Sequence, residues 1–186
     1  MVKKISPMGT PQLGQEQIAW LSNAVAQYVL AQRARCAPRA APLNQQQQTA
    51  MTGFFTEEIL STRILMLEGE RVQNPDFYPQ LEALGFRNPP DQSTMAAITL
   101  VDVVVSHTPF DYDLLFHELI HVEQYRQLGI ERFSELYVTG FLSGGCYERI
   151  PLEMHAYALG DQYEANPDRF FSVEDAVRDY IRRRAY

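Results

Sequence analysis

The most constraining feature of this chain is a helical stretch that is apolar on nearly every side yet sets two histidines and a glutamate among its apolar residues. Leu114, Leu115, Phe116, Leu119, Ile120 and Val122 wrap residues 112–128 almost all round, and a helix of that kind is a buried one. Into it the sequence sets His117, Glu118 and His121. Buried ionisable groups need partners. Side chains four apart stack on one face of a helix, so His117 and His121 point the same way. Glu118, about 100° further round the axis, borders the same spot. Asp111 or a neighbour is placed to cap the start of this helix, and Gly129 to end it.

Those residue types at that spacing have a chemical reading. Two neutral imidazoles on one face can share a metal ion, and a carboxylate beside them can take a proton from water that the metal acidifies. The chain has only 4 histidines in 186 residues, so the chance expectation of His-Glu-x-x-His is roughly 0.006. Catalytic zinc usually has a third protein ligand and an open position. Glu148, Glu153, His155, Asp161 and Glu164 are the downstream candidates. Glu153 is favoured. It falls in the first turn of a helix opened by Pro151, and Ala156 and Gly160 on its face are small enough to let two helices approach. His155 lies about 200° away on the same helix, so only one of the two can face the ion.

On these residues the chain resembles the gluzincin branch of the zincin metallopeptidases. The likeness is greatest to small bacterial members whose motif helix reads HELxHxxQYR and whose following helix reads ExxAY. Here these are residues 117–126 and 153–157, and the likeness spans about residues 98–164. The resemblance implies zinc held by His117, His121 and Glu153, with Glu118 as general base, and hydrolysis of a peptide bond. It also implies a substrate strand beside the cleft, for which the segment from Ala96 to Val105 (AAITLVDVVV) is placed; a peptide or protein substrate would pair with its backbone. Tyr157, one turn after Glu153, ranks first to stabilise the oxyanion, ahead of His107, Tyr147 and Arg149. Asp161 and Glu123 are candidates to orient a ligand histidine. A catalytically inactive or latent zinc-stabilised binding module is the alternative, with the first 50 residues as the segment that would cover the cleft.

The remaining pattern predicts helices at about 15–35, 54–60, 75–84, 130–142, 151–164 and 173–183, and strands at 61–67 and 96–105. The Gln45–Gln48 run reads as a linker or helix start, and residues 1–14, rich in Pro and Gly, as loose. The fold expected is a single-domain α+β protein over 1–186, mostly helical, with a small two- or three-stranded sheet and a zincin-like core. A net charge of −7 argues against nucleic acid or anionic membrane as partner. The Arg182-Arg183-Arg184 run reads as a solvated helix end. Cys36 and Cys146 are far apart and outside any CxxC pair, so they read as reduced thiols. With no signal-peptide pattern at the N-terminus and no apolar run of spanning length, the expected location is cytoplasmic.

Overall fold

The computed structural model describes residues 13–86 and 89–183. The stretch 1–14 therefore lies, up to residue 12, outside the described residues, as does Arg184 of the basic run. In chain order the elements are α1 (Gln15–Cys36), β1 (Ala41–Pro42), α2 (Gln45–Met51), α3 (Glu57–Leu60), β2 (Arg63–Met66), α4 (Tyr78–Ala83), β3 (Ala97–Leu100), β4 (Val103–Ser106), α5 (Tyr112–Gly144), α6 (Pro151–Ala165) and α7 (Val173–Arg182). The chain is thus mostly helical α+β, as the sequence predicts. The glutamine run is the start of α2, capped by Asn44, whose side chain accepts from Gln47 N at 2.9 Å.

The sheet has four strands in the order β1-β2-β4-β3, with only the β2–β4 pair parallel. That is more than the two or three expected, for two reasons. β1 is only two residues long and carries no periodicity to detect. And the segment from Ala96 to Val105 is not one strand but a hairpin, β3 and β4, folded at Val101-Asp102. Val101 adopts φ 67°, a region that β-branched residues rarely enter. Long-range contacts hold it there: Arg33 of α1 donates from Nη2 to Asp102 Oδ2 at 2.7 Å, and Asp102 O accepts from Arg63 N at 3.3 Å. β4 sits between β2 and β3, and Val103, Val104 and Val105 are fully buried. Val103 and Val105 face one core and Val104 the other, as the period-2 geometry of a strand requires.

Two helical segments joined at Gly129 make up α5, and that residue has φ 72° and ψ 162°. Only glycine adopts such a conformation without strain, so the predicted stop is a sharp change of path rather than an end. The first segment carries the His-Glu-x-x-His run. Asp111 caps it, accepting from Leu114 N at 2.8 Å. α6 packs back on both segments. At Gly140 an added Cβ would lie 2.6 Å from Pro151 Cδ, so the backbones meet where α6 begins. Further along, Phe116 stacks on Tyr163 of α6 with centroids 4.2 Å apart, and Phe54 touches both rings. These contacts fix α6 against the residue just before His117.

Candidate metal centre

Position and packing bring together the three residues singled out as ligands. His117 Nε2 and His121 Nε2 lie 3.1 Å apart. Glu153 Oε2, from the first turn of α6, lies 3.2 Å from His121 Nε2 and 3.6 Å from His117 Nε2. A tetrahedral ion with donors at about 2.0 to 2.1 Å sets those donors about 3.3 Å apart. Glu153 Oε2 is buried, and no N–H points at it with hydrogen-bond geometry. A buried carboxylate oxygen left without a donor is costly, and a cation among the three atoms would satisfy it. His117, His121 and Glu153 therefore form a group that could hold a metal ion, and no other such group of His, Cys, Asp or Glu occurs among the described residues.

The electrostatics agree. Burial raises the Glu153 carboxyl, but the His121 charge and the nearby His117, His121 and Tyr147 side chains outweigh it and hold the group well below the usual carboxylate range. Burial pulls His121 down, while the Glu153 carboxylate, with smaller help from Glu118 and Gln124, raises it to about 9. The pair attracts a positive charge at this point, whether a proton or a metal ion supplies it.

Two further residues position these groups: Gln124, which falls in the HELxHxxQYR pattern without a role assigned to it, and Thr99, which no sequence pattern marks. Gln124 is fully buried. Its Oε1 faces His121 Nδ1 at 2.9 Å, and its Nε2 donates to Leu152 O at 3.1 Å. One amide thus ties a ligand on α5 to the residue next to the ligand on α6, and it fixes the tautomer in which His121 Nδ1 donates. Thr99 on β3 donates from Oγ1 to Glu118 Oε2 at 2.6 Å. Glu118 is buried, and this bond orients one of its oxygens. Read alone, Thr99 is an ordinary strand residue.

Of the other candidates, Glu123 faces away from both histidines and pairs with Arg126 by two bonds of 2.8 Å. Asp161 and Glu164 line an open groove outside the centre, so neither Glu123 nor Asp161 orients a histidine. His155 stacks on Tyr180, centroids 4.0 Å apart, off the ligand face. His107 accepts from Val72 N at 3.0 Å through Nε2, and its Nδ1 faces Met95 O at 2.7 Å; both nitrogens are committed to holding the loop before β3. Tyr157 lies against His117 with centroids 4.7 Å apart and is half exposed. Tyr147 stands deeper, beside Glu153. Burial first and the Glu153 charge second push its phenol far above the ordinary range, so it is a neutral hydrogen-bond donor. Cys36 and Cys146 are free thiols.

The centre has space on both sides. An inner chamber of about 90 Å³ is walled by Tyr28, Tyr78, Tyr125, Phe133 and Tyr137, among others, and α1 contributes to it. An outer groove of about 430 Å³ is lined by residues of α5 and α6, the start of β3, and Tyr147. Glu118 and Tyr147 border both spaces. No described residue before Met95 lines the groove. Among the described residues no helix is long and apolar enough to cross a membrane. Comparisons with protein families, with curated proteins and with solved structures give no match.

Proposed function

We propose that the protein is a zinc-dependent metallopeptidase. The observation that carries this reading is the buried Glu153 Oε2, which accepts no hydrogen bond of good geometry and faces two imidazole nitrogens at 3.2 and 3.6 Å, with Glu118 beside them on an open groove. Two imidazoles and one carboxylate suit zinc and other first-row divalent ions better than magnesium or calcium, which take mostly oxygen. Bound there, zinc supplies Lewis acidity that polarises a scissile carbonyl and acidifies water.

The chain's own residues do the rest. His117, His121 and Glu153 hold the ion. Glu118, with one oxygen steadied by Thr99, takes a proton from the attacking water and passes it to the leaving amine. The substrate backbone runs along β3, whose outer edge has no partner strand among the described residues. Only the Ala97–Leu100 half of the segment first read as a substrate strand serves, because β4 is internal. Tyr157, on the groove beside His117, donates to the oxyanion. No described residue before Met95 lines the groove at His117 and Glu118, which supports this reading, while α1 walls the chamber that His121, Glu153, Ile98 and Thr99 line.

The test is Glu118→Gln against Glu153→Ala. The first keeps zinc at one ion per chain and loses nearly all hydrolysis of a peptide library. The second loses tight zinc binding. Undiminished hydrolysis by Glu118→Gln would refute the mechanism, and stoichiometric tight zinc in Glu153→Ala would remove Glu153 from the site.

A further inference from the structure

The strand side of the outer groove is short. Among the described residues only Met95, Ala96 and Ala97 form it, and Met95 and Ala97 line the inner chamber as well. These three residues are the rim at which a chain lying in the groove meets the open edge of β3. Where pairing along that edge can begin follows from the ladder. His107 N donates to Ala96 O at 2.8 Å, and Ala97 stands opposite Ser106 in the antiparallel β3–β4 pair. Antiparallel residues alternate between pairs that exchange hydrogen bonds and pairs that do not. Ala97, next after a bonded residue, therefore turns its own N–H and C=O away from β4 and toward the open edge. It is the first residue of β3 able to pair with a substrate backbone.

One imidazole holds the rim in place. His107 Nε2 accepts from Val72 N at 3.0 Å, which puts the ring proton on Nδ1, and Nδ1 donates to Met95 O at 2.7 Å. Val72 is fully buried in the core that Val103 and Val105 join, so the ring ties the rim to a fixed point. Ala96 O has two donors, His107 N and, at 3.1 Å, Ser106 Oγ. Met95 O has only the imidazole among the described residues. His107 itself lines neither the groove nor the chamber, so whatever it does to a substrate it does through Met95.

From this we infer that His107 is a positioning residue for the substrate: through Met95 O it sets the rim, and with it the place where Ala97 begins to pair with a peptide. The inference rests on the peptidase reading, and its test separates the two. The ring bonds can be removed one at a time. In His107→Asn the amide stands at the Nδ1 position, keeping the bond to Met95 O and losing Val72 N; in His107→Gln the longer amide reaches the Nε2 position, keeping Val72 N and releasing Met95 O. Hydrolysis of a quenched fluorescent peptide that the parent protein cleaves gives kcat and KM, and zinc content and thermal unfolding are read on the same samples. KM stays within about twofold of the parent value in His107→Asn and rises about tenfold in His107→Gln, because the misplaced rim weakens pairing. In both variants kcat stays within about threefold, since the metal ligands and Glu118 are untouched. A histidine that serves the fold alone would not separate the two amides. Equal KM in the two variants, or a fall in kcat as large as the rise in KM, overturns the inference. So does loss of zinc or of the folded state in either variant, which would assign His107 to the fold. Failure of the zinc-loaded parent protein to cleave any peptide strikes the peptidase reading first and the inference with it.

Discussion

At the scale of single residues, the centre depends on groups that neither bind the ion nor react. Gln124 is the strongest case, because one buried amide joins His121 to the backbone of α6. Gln124→Leu keeps the volume and removes both bonds, leaving the buried His121 Nδ1 without its acceptor at a cost of about 1–3 kcal/mol. Zinc affinity is expected to fall about 10- to 100-fold, read by competition with a chelating dye; an unchanged affinity would show that α6 is held by packing alone. The His121–Glu153 pair predicts a pH dependence. His121 is raised to about 9, so at neutral pH it carries a proton that an incoming metal ion displaces. Metal binding then releases about one proton, and affinity weakens about tenfold per unit as pH falls below about 9. Calorimetry in two buffers of different ionisation enthalpy counts that proton. A count of zero would mean that His121 is already neutral before the metal arrives.

At the scale of elements, the motif helix and its stop were legible because their signals are local. Leu114 to Val122 declare burial, Asp111 caps, and Gly129 takes a conformation that few other residues tolerate. Glu153 was legible for the same reason, since Pro151 opens its helix and Ala156 is small; Gly160, the other small residue read on that face, meets nothing within 4 Å, and the close approach falls at Gly140 instead. The β3–β4 turn was not. Leu100-Val101-Asp102-Val103 contains no turn-forming glycine or asparagine, and Arg33, some 69 positions away, holds it. That ion pair can be tested by acid. The hydrogen bond from Arg33 keeps the Asp102 carboxyl below its ordinary range, against a desolvation that raises it. Its stabilisation is therefore present above about pH 3.9 and lost as pH falls through the lower, folded-state value. Both partners are partly exposed, so Asp102→Asn should cost only about 0.5–1 kcal/mol at pH 7 in urea unfolding; the difference from the parent should vanish in strong acid. Gly140→Ala belongs to the same scale. Its methyl group would press on Pro151 Cδ at 2.6 Å and Ile150 Cγ2 at 3.3 Å, and α6 has to move. A loss of about 1–3 kcal/mol is expected, together with weaker zinc binding as Glu153 shifts. Parental zinc affinity in that variant would mean that the α5–α6 approach does not set the ligand geometry.

For the whole molecule, an ion that binds only the folded chain adds stability by mass action. At about 1,000 times its dissociation constant zinc adds about 4 kcal/mol. Thermal unfolding should therefore shift upward on zinc loading, return on chelation, and stay put in Glu153→Ala. Identical curves with and without zinc would argue against the site. The distance along the chain between the ligands adds a polymer argument. Glu153 lies 32 positions after His121, and the rest of α5 and the turn into α6 fill that interval. An ion bridging the two ends is a reversible cross-link. By the chain-entropy relation for a closed loop of that length it would restrict the unfolded ensemble by about 3–4 kcal/mol. The enclosed hairpin must then open as one unit or not at all, so amide exchange along residues 130–144 should slow on metal loading more than exchange in α1, which lies outside the loop.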